Sequence, residues 1–200
     1  PILEVLGESS IILDIGTTFV DPGYYAELNG EDVTDQVEVV SNVNTAVGGV
    51  YSVSYKITNE DGFSVSGSRT IYVKDPTPSI IYSGIHTTAP GTFRFWLSSG
   101  AVVNFSGFEI LILQTEPGVF YISDFMGGYY DQRVGYGPAY AMTGYFQLND
   151  DNTITPLSGF VAGWGDSYDY LKDSSVDPVT GQITYKLGYA GLMEYTIILN

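Results

Sequence analysis

The sequence predicts an all-β fold in two domains, and three observations predict it. Period-two alternation recurs along the chain while helical periodicity is almost absent, the pattern of pleated strands with one buried face. Seventeen Tyr, 24 Gly and abundant β-branched residues suit strands joined by tight turns. A stretch with two prolines, Lys74-Asp75-Pro76-Thr77-Pro78, breaks the pattern near the middle of the 200 residues, and aromatic residues are denser after it than before: 22 of the 29 lie beyond residue 78. The boundary is therefore placed between residues 1–78 and 79–200.

In the first part, Ile11, Leu13 and Ile15 alternate with Ile12 and Asp14, and Tyr51, Val53, Tyr55 and Ile57 alternate with Ser52, Ser54, Lys56 and Thr58. The second run has one clean apolar face. Asn59-Glu60-Asp61-Gly62 is a turn signal, with Gly62 able to take positive φ, and a return strand from Phe63 to Val73 completes a hairpin. Arg69 falls in the same phase as Phe63, Val65, Ile71 and Val73, so a bulge near Gly67 is expected to turn it outward. Pro22-Gly23 fits a turn, and Gly48-Gly49 a sharp bend into the next strand.

In the second part, strands are expected over 92–97, 107–115, 119–124, 140–148, 159–164, 182–187 and 192–199, with turns at Asn149-Asp150-Asp151-Asn152 and at 177–181. Seven strands at this spacing make an antiparallel sandwich or a barrel. The apolar run Ile110-Leu111-Ile112-Leu113 is expected inside a sheet, with the 192–199 strand pairing beside it.

The residues Gly16-Thr17-Thr18-Phe19-Val20-Asp21-Pro22-Gly23, then Gly48-Gly49-Val50-Tyr51-Ser52-Val53-Ser54-Tyr55, then Asn59-Glu60-Asp61-Gly62-Phe63 and Arg69-Thr70-Ile71-Tyr72-Val73 resemble the bacterial immunoglobulin-like surface domains of the HYR/DUF5011 type. The resemblance implies an immunoglobulin-like β-sandwich that spaces or presents other domains. The second part, through Ser123-Asp124-Phe125-Met126-Gly127-Gly128-Tyr129-Tyr130 and Tyr189-Ala190-Gly191-Leu192-Met193, is similar to DUF5012-type C-terminal domains of surface lipoproteins from the Bacteroides group. That likeness implies display on the outer membrane's extracellular face, through a lipid anchor upstream of Pro1, and brings no catalytic residues with it.

Charge and composition narrow the function classes. With 23 acidic against 7 basic side chains, a formal charge of −16 repels phosphodiester backbones and argues against nucleic acid as a partner. The chain has no cysteine and a single histidine, His86, so thiolate chemistry and a histidine zinc site are excluded. His86 reads as an ordinary surface or hydrogen-bonded residue. No metal and no cofactor is expected: Asn149 to Asn152 and Asp166 to Asp177 carry oxygens but not the spacing of a calcium loop, and no phosphate-binding glycine motif occurs.

Two stretches mix aromatics, glycine and aspartate: 121–140 and 162–170. Glycines let loops bend, flat rings offer apolar faces to sugar C–H surfaces, and carboxylates accept hydrogen bonds from hydroxyls. The candidate ligand-binding platform is Tyr129, Tyr130, Tyr136, Trp164, Tyr168 and Tyr170 as rings with Asp131, Asp166 and Asp169 as acceptors, for a glycan or another extracellular ligand such as a protein. Such loops also cap β-sheets with rings turned inward, which would leave a structural or protein-interaction module. Asp124 with Asp131, or Asp166 with Asp169, are the pairs a glycosidase would need at about 5–10 Å, but nothing in the sequence marks either as opposed across a bond, and a non-catalytic protein is expected.

Overall fold

The computed structural model describes all 200 residues, which divide into compact units Pro1–Pro76 and Thr77–Asn200. The first unit contains β1 (Ile2–Val5), β2 (Ser10–Asp14), β3 (Tyr24–Leu28), β4 (Glu31–Asp32), β5 (Glu38–Ser41), β6 (Gly49–Thr58) and β7 (Ser64–Lys74). They form a three-stranded sheet, β1-β3-β4, and a four-stranded sheet, β2-β7-β6-β5, in which β2 runs parallel to β7 and the other pairs are antiparallel. Val53, Tyr55, Ile71 and Val73 are buried from the larger sheet, with Leu3 and Val5 of β1 packed against them. This is an immunoglobulin-like sandwich.

The β6–β7 hairpin closes as its turn residues require: Gly62 sits at φ 85°, and the Asn59 N–H donates to the Phe63 carbonyl. The expected bulge does not exist. Pairing runs unbroken from Gly49 opposite Val73 to Thr58 opposite Ser64, and Arg69 stays in the buried phase. Its guanidinium donates to the carbonyls of Leu6, Glu8 and Gly23, and its Nε lies 3.5 Å from Asp21 Oδ1. Asp21 in turn accepts from the Tyr55 hydroxyl at 2.7 Å. Buried charge is tolerated when it is paired and hydrogen-bonded, so strand phase and polarity are reconciled without an extra residue. Gly67 has a different function from the one expected: a Cβ there would stand 2.7 Å from Val5 Cγ2, so the glycine permits close approach of β1.

The second unit contains β8 (Gly84–Thr87), β9 (Phe93–Trp96), β10 (Val102–Asn104), β11 (Glu109–Glu116), β12 (Val119–Ile122), β13 (Met142–Leu148), β14 (Ile154–Val161), β15 (Tyr168–Val176), β16 (Ile183–Tyr189) and β17 (Met193–Leu199). Two five-stranded antiparallel sheets result, β10-β9-β17-β16-β15 and β14-β13-β12-β11-β8, and no barrel closes. Ile110, Ile112, Phe120, Ile122 and Phe146 of one sheet and Tyr185, Leu187, Tyr195 and Ile197 of the other share one buried cluster. This is the sandwich alternative of the expected pair.

The closing strand β17 pairs with β9 and β16, not with β11 as expected; alternation alone does not say which of two facing sheets a strand joins. The Ile110 to Leu113 run does lie inside its sheet, between β12 and β8. His86, on β8, is buried with Nε2 2.8 Å from the Tyr82 carbonyl oxygen, and burial lowers its pKa. No helix is long and apolar enough to cross a membrane.

Candidate functional site

The site begins with a buried carboxylate. Asp124 follows β12, and its Oδ1 accepts the backbone N–H groups of Met126 and Met142 at 2.8 and 2.9 Å while Oδ2 accepts that of Gly128 at 2.9 Å. Burial pushes this carboxyl up to about 6, against the pull of those three donors. Gly128, at φ 77°, then turns the chain beside Phe108, where a Cβ would stand 2.8 Å from the Phe108 Cβ. Out of this turn runs a single π-helical turn, Tyr129–Arg133, and then a 3-10 turn, Pro138–Tyr140.

A second loop meets the first. Between β14 and β15, Gly165 N–H closes back on the Val161 carbonyl at 2.8 Å, and Gly163 N–H donates to the Ala139 carbonyl at 2.7 Å, tying the two loops together. Gly163 is also the floor under an aromatic ring, since a Cβ there would fall 2.6 Å from Tyr140 Cε1.

The loops bring their rings to one place. Trp164 meets Tyr130 edge-on at 4.7 Å and Tyr140 at 4.9 Å between centroids; Tyr136 stands 5.4 Å from Tyr140 and stacks parallel to Tyr130 at 6.2 Å. Tyr136, Tyr140 and Trp164 line a cleft of about 470 Å³. Tyr136 is 56% exposed and Trp164 41%, in contrast to the buried aromatics beneath them. The edge-on contacts of Trp164 with Tyr130, Tyr136 and Tyr140, and the parallel stack of Tyr136 on Tyr130, fix the orientations of these rings.

The nine candidate residues separate into three settings. Tyr136 and Trp164 line the cleft, Tyr130 backs Trp164 while packed on the core with its hydroxyl donating to Met193 Sδ, and Asp131 is half-buried next to Tyr130, where burial raises its pKa. Tyr129 is 3% exposed and packs edge-on against Phe105 and Tyr195, so it is a core residue under the cleft; Tyr168 likewise packs toward Phe125 and the core. Asp166, Asp169 and Tyr170 make internal bonds. Asp166 accepts from the Tyr189 hydroxyl through both oxygens at 2.8 and 2.9 Å, and Asp169 accepts from Gly191 N–H at 2.6 Å.

Tyr170 stands on the face of β15 away from the core, opposite Gly188, and donates to Glu194 at 2.8 Å; Lys172 also binds Glu194 and lies 4.7 Å from the Tyr170 ring centre. One cleft-lining residue, Tyr140, and one buried ring that packs beneath Trp164, Tyr189, fall outside the sequence-based candidates. Tyr140 sat at the start of an expected strand, and Tyr189, whose ring is 6.1 Å from Trp164, in a closing strand motif. The signal for Tyr140 was its place in the same Gly/Pro-rich loop as Tyr136; Tyr189 carried none.

Of the two carboxylate pairs, Asp124 is enclosed and committed to backbone donors, and Asp166 and Asp169 are each bonded internally. No group of three or more His, Asp or Glu side chains converges as a metal site would require.

Fold and loops together define a two-domain, all-β protein of the bacterial surface immunoglobulin-like class. The family model for a bacterial surface protein, Ig-like domain, matches residues 3–73, and that of a C-terminal domain family matches residues 75–200. The crystal structure of the lipoprotein BT2262 from Bacteroides thetaiotaomicron is 52% identical, covering 100% of this chain and 98% of that one with a TM-score of 0.79. The chain belongs to the family of that lipoprotein. A structure of CBM51-2 in complex with GlcNAc and INT domains from Clostridium perfringens ZmpB aligns at 13% identity over 100% of this chain and 43% of that one, with a TM-score of 0.29, too low to show a shared fold. No curated protein matches the chain.

Proposed function

We propose that the C-terminal domain is a non-catalytic binding module that takes a sugar ring into the cleft of Tyr136, Tyr140 and Trp164, with Tyr130 backing Trp164, and that the immunoglobulin-like domain presents it at the cell surface. The observation that carries this reading is the convergence of Tyr136, Tyr140 and Trp164 from two separate loops around one cleft, with Tyr136 and Trp164 open to solvent. A ring left open in water forgoes burial worth roughly 25 cal/mol per Å² of apolar surface, and a cluster of them marks an interaction site. Asp131, without a side-chain partner, supplies a hydrogen-bond acceptor beside the rings.

Membership of a lipoprotein family supports attachment through a lipid anchor on a preceding segment, with the extracellular face of the outer membrane as the setting. Glycan-array screening of the intact protein, followed by calorimetric titration of the best ligand, tests the reading. Replacing Trp164 and Tyr136 together by Ala is expected to weaken binding at least tenfold, the equivalent of about 1.4 kcal/mol. Wild-type affinity in that double variant would remove the site; a clean array with capture of a protein partner through the same rings would replace the sugar with a polypeptide.

A further inference from the structure

The second unit holds eleven acidic and four basic side chains, so each cation has carboxylates to choose from. Both lysines take one: Lys172 bonds Glu194 at 2.7 Å and Lys186 bonds Asp173 at 3.0 Å. Neither arginine does. The guanidinium carbon of Arg94, on β9, lies 4.9 Å from the ring centre of Tyr129 and 5.3 Å from that of Trp96; that of Arg133, on the π-helical turn, lies 5.1 Å from the same Tyr129 ring. The two guanidinium groups are thus within about 10 Å of each other. Arg94 Nε is buried and has no acceptor in the protein, an uncommon condition for an N–H that native folds satisfy.

Tyr129 is one ring away from the cleft, 5.0 Å between centroids from Tyr130, which meets Trp164 at 4.7 Å. Arg133 also follows Asp131 by two residues in the same turn, and it is exposed. Cation–π contact does not consume a guanidinium's N–H donors, and the exposed Arg133 keeps its donors open to solvent, whereas Arg94 Nε is enclosed. A planar guanidinium edge matches a carboxylate in a bidentate pair. An acidic domain that leaves its two arginines unpaired beside its aromatic cleft is arranged to receive an anion there.

Resting on the glycan-binding reading, we infer that the ligand is an acidic sugar, and that Arg133, with the charge of Arg94 held on the same Tyr129 ring, receives the carboxylate of a uronate residue adjoining the one on the Trp164 cleft.

The experiment compares tetragalacturonate with its methyl ester, which keeps the shape and loses the charge, by calorimetric titration of the intact protein at low salt. The wild type is expected to bind the free acid at least tenfold more tightly than the ester. Arg133→Gln, an exposed change that the fold tolerates, is expected to abolish that preference while leaving affinity for the ester unchanged; Arg94→Gln is expected to do the same, with circular dichroism reporting whether this partly buried change leaves the fold intact. Equal binding of acid and ester, a preference that survives Arg133→Gln, or no binding of either probe overturns the inference. The outcomes separate from those of the cleft itself: loss of neutral-glycan binding in the Trp164 and Tyr136 double variant would stand even where the acid shows no advantage, and its absence would remove the cleft whatever Arg133 does.

Discussion

Asp124 has the most consequential single environment in the second domain. Three backbone donors converge on a carboxylate that burial lifts to about 6, and the charge of Asp131 adds in the same direction. Folding raises this pKa above its ordinary 3.8, so the folded state binds the extra proton; the group favours the fold most below about pH 4 and loses that contribution as pH rises through 6. Chemical denaturation at pH 4.5 and 6.5 is expected to show this decline in the wild type, and the difference in pH slope from Asp124→Asn isolates it. The Asn variant is expected to be less stable by about 1–3 kcal/mol, because its amide NH2 must face one of the backbone donors. A slope identical in the two proteins would contradict the assignment. Arg69 is the equivalent in the first domain: Arg69→Met leaves Asp21 and the carbonyls of Leu6, Glu8 and Gly23 without their donor and is expected to cost about 3 kcal/mol or more by urea denaturation.

At the scale of elements, glycine and tyrosine work as pairs, which explains a composition otherwise read only as loop-like. Tyr140 lies over Gly163, Tyr168 over Gly159 and Tyr170 over its cross-strand partner Gly188, each ring occupying the space a Cβ would take. A ring over a glycine covers backbone that would otherwise be wetted and stiffens the strand. Gly163→Ala is therefore expected to push Tyr140 out of the cleft and lower ligand affinity with only a small change in melting temperature, while Gly188→Ala moves Tyr170 and leaves affinity intact. Calorimetry and ligand titration on both variants check this.

The same elements mark what the sequence could say. The β6–β7 hairpin was legible because alternation and a turn glycine agree. β15 was not: Tyr168–Val176 carries Asp, Lys and two serines, and its pairing with β16 shifts register twice, so no period-two pattern survives and Tyr168 and Tyr170 read as loop residues. Arg69 misled in the opposite sense, since strand phase cannot reveal that four oxygens wait for a buried cation.

For the whole molecule, two sandwiches carry separate cores, and the chemistry-bearing side chains concentrate in the loops at 129–140 and 162–166 of the second. Loops on a rigid sheet scaffold are where binding residues are placed in such folds. The sheets themselves discourage other uses of their edges: β14, an edge strand, contains Pro156, and β15, at another edge, is irregular and charged. The two clusters singled out from sequence do converge, yet their members divide between cleft, core and internal bonds in a way that only the third dimension decides.

The account stands on the claim that Tyr136, Tyr140 and Trp164 face a ligand. The most direct measurement is chemical-shift mapping of the labelled protein during titration with the glycan that an array selects. The largest shifts are expected at residues 130–140 and 162–166, including the Trp164 indole N–H. Shifts confined to the first domain or to the outer sheet faces, with the Trp164 signal unmoved at saturation, would contradict it.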